Sequence, residues 1–144
     1  MKIREMKISY KTVGEIPSLD VLDSPENVVA YLKEKIDENP FQEQMWLICL
    51  NTQMKPIGRV LVGLGSLNET VVDFSAIFRH GILAGAFRIT VAHNHPSGDC
   101  TPSDADRRVT RRLVECGEML GMRVFDHVII GDTYFSFRAC GLIA

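Results

Sequence analysis

One stretch of the chain concentrates residues that could hold a metal: His93-Asn94-His95, seven residues, then Ser103-x-x-Asp106. Two imidazoles and one carboxylate make three protein ligands. Three ligands leave the fourth position of a tetrahedral zinc ion open for water, and that opening separates a catalytic zinc site from a structural one. The chemistry implied is hydrolysis. Zinc lowers the pKa of water from about 16 to about 7, so a modest base suffices to deprotonate it.

These side chains need elements to position them. Residues 87–92 (FRITVA) read as a buried strand running straight into His93. Strand alternation sends His93 and His95 to one side and Asn94 to the other, where Asn94 is expected to bond turn backbone. Pro96-Ser97-Gly98 turns the chain. Thr101-Pro102 then supplies cap and first-position chemistry for a helix, on which Ser103 and Asp106 share a face. Asp106 would be the third ligand, and Ser103 would place a hydroxyl beside the ion. Ser103-x-x-Asp106 is also a helix-capping pattern, a reading that Thr101-Pro102 weakens by capping the helix already. The proton acceptor is less well marked. Glu43 stands just before an apolar strand and is a reasonable candidate, with Glu15, Glu38 and Glu69 as alternatives.

The remaining elements follow from periodicity. Residues 3–12 alternate Ile3, Met6, Ile8 and Tyr10 with lysines, which predicts an edge strand. Residues 14–23 read as a loop. Ser24-Pro25 opens a helix with the stripe Val28, Val29, Leu32 and Ile36, closed by Asn39-Pro40. Residues 45–50 (MWLICL) form an unbroken apolar run that suits a central strand. A turn at 51–55 leads into a strand at 57–63, and a helix is predicted over 73–84. The third helix carries Val109, Leu113, Cys116 and Leu120 and ends at Gly121. Residues 123–130 and 133–137 predict a hairpin around Gly131-Asp132. One mixed sheet with helices packed on it, in one α/β domain of 144 residues, accounts for this order.

Composition narrows the function classes. Hydrophobic residues make up 46% and charged residues 24%, values of an ordinary globular core that needs no metal in order to fold. A net charge of -2 gives no long-range attraction for nucleic acid or anionic lipid. No apolar run approaches membrane-spanning length. Cys49, Cys100, Cys116 and Cys140 form no Cys-x-x-Cys pair, and no leader pattern opens the chain, so reduced thiols in a cytoplasm are expected. Cys49 and Cys140 are expected in apolar surroundings, and Cys116 in the core.

The combined motif, with the run HNHPSGD, the segment RRLVECGEMLG and DHVIIGD after them, resembles the bacterial RadC family and its JAMM (MPN-plus) metalloprotease-type domain from about residue 24 onward. The resemblance implies a cytidine-deaminase-like three-layer α/β sandwich. It implies Zn2+ as cofactor with His93, His95 and Asp106 as ligands, Ser103 as the residue that helps hold water and oxyanion, and Glu43 as the base. The activity implied is cleavage of a peptide or isopeptide amide in a protein or peptide substrate, and a homo-oligomer is allowed. Residues 1–23 match nothing in the family, and the helix-hairpin-helix module usual in its members is not among them. Ser75 stands where the family has arginine, and Cys100 stands where proline is common, which leaves substrate contacts open. The competing reading is a non-catalytic module associated with DNA repair or mobile elements.

Several neighbours have plainer readings. His127, after Asp126 in a strand, reads as structural or as support for a ligand, and His80 as a surface residue. Cys100 reads as a turn cysteine without a role. Arg107, Arg108, Arg111 and Arg112 resemble a nucleic-acid patch. Glu115 and Glu118 are spaced to pair with some of them, so a solvated helix face is the better account. The His-x-Glu and Pro-Cys-x-x-Cys pattern of nucleobase deaminases is absent.

Overall fold

The run MWLICL becomes one of the inner strands of a five-stranded sheet. The computed structural model describes residues 1–66 and 71–144. Its elements run α1 (Pro25–Glu38), β1 (Gln44–Leu50), β2 (Pro56–Leu64), α2 (Phe74–Leu83), β3 (Arg88–Asn94), α3 (Asp104–Met119), β4 (Arg123–Ile130) and β5 (Tyr134–Ser136). The strand order is β2-β1-β3-β4-β5. Among the described residues β3 and β4 pair in parallel, and the other three strand pairs are antiparallel.

Every residue of β1 is buried, which an unbroken apolar strand requires when both faces are covered. Alternation divides it. Met45, Leu47 and Cys49 pack with Ile77 and Phe78 of α2 and with Val109 and Leu113 of α3. Trp46, Ile48 and Leu50 pack with Leu22 and with Val28, Leu32 and Ile36 of α1. The sheet therefore carries α1 on one face and α2 and α3 on the other, a mixed sheet flanked by helices as the pattern indicates. No helix among the described residues is long and apolar enough to cross a membrane.

Local chemistry starts the first two helices as expected. Ser24 accepts the Asn27 N–H at 3.3 Å with Pro25 at the first helical position, and Asp73 accepts the Ala76 N–H at 2.9 Å.

Three expectations are corrected. Residues 3–12 form no strand. Ile3 and Met6 are 94% and 83% exposed, so the segment gains neither a ladder partner nor a covered face, and a strand needs both. The third helix begins at Asp104 with Ser103 as its cap, not at Thr101-Pro102. Thr101 belongs to the turn before it, its N–H and hydroxyl both donating to Asp99 Oδ1 at 3.0 and 2.7 Å. Ser103 and Asp106 satisfy each other's backbone N–H groups instead. Cys140 is exposed and Cys116 only half-buried, because the end of α3 and residues 138–142 lie at the surface, where Leu120 and Leu142 are 50% and 49% exposed.

Candidate metal centre

Parallel strands gather ligands at their carboxyl ends, and β3 and β4, joined through α3, make such an end. His93 is fully buried on β3. His95 lies one residue past the strand, yet its N–H still donates to the Ile130 carbonyl at 2.8 Å. The alternation therefore continues, and the two Nε2 atoms lie 3.1 Å apart. Asp106, in the first turn of α3, places Oδ1 3.2 Å from His93 Nε2 and Oδ2 3.2 Å from His95 Nε2.

Glu43 arrives from the opposite side. In the antiparallel β1–β3 pair Met45 faces His93, so Glu43, two residues further on, shares that face beyond the end of the ladder. Its Oε1 is 3.9 Å from His93 Nε2, and Glu43, His93 and His95 each offer a ligand atom within 4.8 Å of the others. The donor chemistry fits a divalent cation. His95 Nδ1 donates to the Asp99 carbonyl at 2.8 Å, which leaves Nε2 of the neutral ring as an acceptor. That nitrogen and the Asp106 oxygens converge with His93 and Glu43 in a nitrogen and oxygen set suited to zinc.

The surroundings set the charges. Burial acts to raise the Asp106 carboxyl. When His93 is protonated, its hydrogen bond and charge, with the N–H and hydroxyl of Ser103, outweigh burial and hold the group well below the ordinary carboxylate range. Burial pushes His127 well below the ordinary imidazole value, and a positive His93 would push the same way against the opposing pull of Asp106, so His127 is neutral. Its Nε2 contacts His93 Nδ1 at 2.8 Å.

The structure brings Glu43, His93, His95, Ser103 and Asp106 together. Glu15 and Glu38 are exposed elsewhere, and Glu69 lies outside the described residues. Ser103 serves in the cap: its Oγ accepts the Asp106 N–H at 3.0 Å while its own N–H donates to Asp106 Oδ2 at 2.9 Å. Capping and site membership thus belong to the same pair. Asn94 bonds backbone as expected, but the backbone is that of residues 42 and 44, not the turn. Cys100 Sγ lies 3.2 Å from Thr133 Oγ1. His80 is half-buried, its Nδ1 donating to the Ala76 carbonyl of its own helix at 2.6 Å. The four arginines of α3 are exposed, with Arg112 4.7 Å from the Phe74 ring centre. Thr110, which the sequence did not mark, is buried behind the site. The available signal was its place four residues after Asp106 on the buried stripe of α3.

Comparison with known proteins gives a family and several relatives. A family model described as the RadC-like JAB domain matches residues 22–142. A UPF0758 protein of Bacillus cereus (strain B4264) is 44% identical over 114 residues, 78% of this chain and 49% of that protein. Another, from Bacillus mycoides (strain KBAB4), is 43% identical over 114 residues, with the same two shares, 78% and 49%. A third, from Rubrobacter xylanophilus, is 36% identical over 132 residues, 92% of this chain and 58% of that protein. The chain spans about half the length of the curated relatives it matches.

Proposed function

Since the chain belongs to the RadC family, through a RadC-like JAB domain over residues 22–142, we propose that it is a zinc-dependent hydrolase of JAMM type that cleaves a peptide or isopeptide amide. The observation that carries this reading is the meeting of His93, His95, Asp106 and Glu43, from three separate elements, around one point.

His93, His95 and Asp106 hold the ion. Zinc bound there supplies a Lewis acid that lowers the pKa of water and polarises a carbonyl. Glu43 accepts the proton of the attacking water at Oε1 and returns it to the leaving nitrogen. With its side chain 20% exposed, Glu43 can be reached by both. The Ser103 oxygen accepts the Asp106 N–H, so its own proton is the one to give to the carbonyl oxygen as that oxygen becomes negative.

Elemental analysis of the purified protein tests the reading. Zinc is expected at about one per chain and should be lost in His95→Ala and Asp106→Ala. Glu43→Gln should keep the metal and lose turnover, which makes it the variant with which to trap the substrate. A wild-type protein that binds no zinc at micromolar concentration overturns the proposal. Duplex DNA binding that is salt-sensitive and unchanged in Glu43→Gln would favour a binding module instead, a result that the net charge of -2 argues against.

A further inference from the structure

Behind His93 runs a buried hydrogen-bond chain that the hydrolysis reading leaves unused. His93 Nδ1 is 2.8 Å from His127 Nε2. His127 Nδ1 is 2.7 Å from Thr110 Oγ1. Thr110 Oγ1 donates to the Asp106 carbonyl at 2.8 Å. None of the four residues is more than 4% exposed, so protein groups alone decide where the protons sit.

The far end of the chain fixes its direction. A carbonyl oxygen only accepts, so the single proton of Thr110 points at Asp106. Thr110 then accepts from His127, which places the His127 proton on Nδ1. A neutral ring protonated at Nδ1 carries a lone pair at Nε2. That lone pair accepts from His93 Nδ1–H. His93 is left with a lone pair at its own Nε2, the atom 3.1 Å from His95 Nε2 and 3.2 Å from Asp106 Oδ1.

We propose that Thr110 and His127 are positioning residues that hold His93 in its Nδ1-protonated form and so aim its Nε2 lone pair at the cation. This rests on the metal-binding reading above. Ligand histidines generally give their other N–H to a fixed acceptor, which sets ring orientation and basicity. His95 does so directly, on the Asp99 carbonyl. His93 does so through β4, and the chain returns to the backbone of Asp106. It therefore ties two ligand-bearing elements, β3 and α3, as it sets the proton.

Packing alone does not call for an imidazole here. His127 stacks on Phe137 with ring centres 5.0 Å apart and planes 13° apart, a place an apolar ring would fill. A buried polar ring is costly unless its polar atoms are bonded. Both His127 nitrogens are bonded, one of them to a ligand.

Zinc affinity, measured by competition with a chelating dye, and nitrogen-15 NMR of the zinc-loaded protein test the proposal. Thr110→Val keeps the side-chain shape and removes the hydroxyl. It is expected to weaken zinc binding about 10- to 100-fold, with Thr110→Ser restoring it. The zinc-loaded wild type is expected to show both His93 and His127 protonated at Nδ1. If the wild type binds zinc but Thr110→Val and His127→Phe bind it equally well, or if His127 carries its proton on Nε2, the relay is wrong and the metal site stands. If the wild type binds no zinc, the metal reading falls and the relay with it. Thr110→Val changes almost no volume, so the answer does not depend on His127→Phe folding.

Discussion

Asn94 holds the backbone on both sides of Glu43. Its Oδ1 accepts the Gln44 N–H at 2.7 Å, and its Nδ2 donates to the Gln42 carbonyl at 3.0 Å. The β1–β3 register extends only to Met45 opposite His93, so past that point a side chain does the work of the ladder. Asn94 is 3% exposed. Asn94→Ala would leave a buried N–H without an acceptor, at a cost of about 1–3 kcal/mol. The urea midpoint is expected to fall accordingly. Zinc content should persist, because Asn94 points away from both histidines, while turnover drops as Glu43 loses the Asn94 bonds on either side and keeps the bond from the Gly65 N–H to its carbonyl at 2.8 Å. An unchanged midpoint would refute this account of Asn94.

Asp106 has two duties that substitution can separate. Its carboxylate caps α3 through the Ser103 N–H and also faces both histidines. Asp106→Asn keeps an oxygen for the Ser103 N–H and removes the charge. It is expected to lose zinc while remaining folded. Asp106→Ala loses the cap as well and should be less stable than the Asn variant by roughly 1 kcal/mol. Thermal melts of the metal-free variants give the difference, and equal melting temperatures would show that the cap contributes nothing.

Much of this was readable because it is local. MWLICL, Ser24-Pro25 and the His93 to Asp106 segment each state their conformation within one strand, cap or turn. What escaped depends on partners distant in sequence. The alternation of residues 3–12 does not say whether a neighbour will accept a strand. Thr101 and Ser103 can both cap a helix, and the structure uses Ser103, whose bonds with Asp106 are reciprocal. Glu43 comes from a different strand from the histidines, so spacing alone left it level with Glu15, Glu38 and Glu69, and resemblance selected it. The link from Thr110 through His127 to His93 exists only once β3 and β4 pair in parallel, with Val91 beside His127.

Gly98 couples the turn after His95 to the β4–β5 turn. It has φ +87°, donates its N–H to the His95 carbonyl at 2.9 Å and accepts the Asp132 N–H at 2.7 Å. A Cβ there would sit 2.6 Å from the Asp132 carboxylate oxygens. Gly98→Ala puts an alanine in a left-handed backbone and makes the Asp132 side chain turn aside, and should cost about 1–3 kcal/mol, mostly through the backbone. Because the turn also carries the Asp99 carbonyl that holds His95, zinc affinity should fall together with stability. Loss of stability at full zinc affinity would show that the turn does not hold His95.

The cysteines should react in an order set by burial. Cys49 is 4% exposed on β1, and burial pushes its thiol up to about 11. The thiolate is the reactive form, so iodoacetamide at pH 8 should spare Cys49 in the folded protein and modify exposed Cys140 first. Mass mapping after digestion reads the order. Modification of Cys49 at the rate of Cys140 would mean that β1 opens.

Acid should destabilise the metal-free protein through His127. Its folded pKa lies well below the ordinary value because of burial, whereas in the unfolded chain it titrates near about 6.5. As pH falls through that value the unfolded chain takes up a proton and the folded chain does not. The contribution of His127 is therefore complete above pH ~6.5 and declines below it, by up to about 1.4 kcal/mol per pH unit. The decline runs in one direction only, since protonation in the fold would also break the acceptor role of Nε2 toward His93 Nδ1. Urea midpoints in a chelator between pH 7.5 and 5 should show this slope. His127→Gln, which cannot take up the proton in either state, should flatten it by about one proton's worth. A variant as steep as the wild type would assign the slope to other groups and contradict a neutral, buried His127.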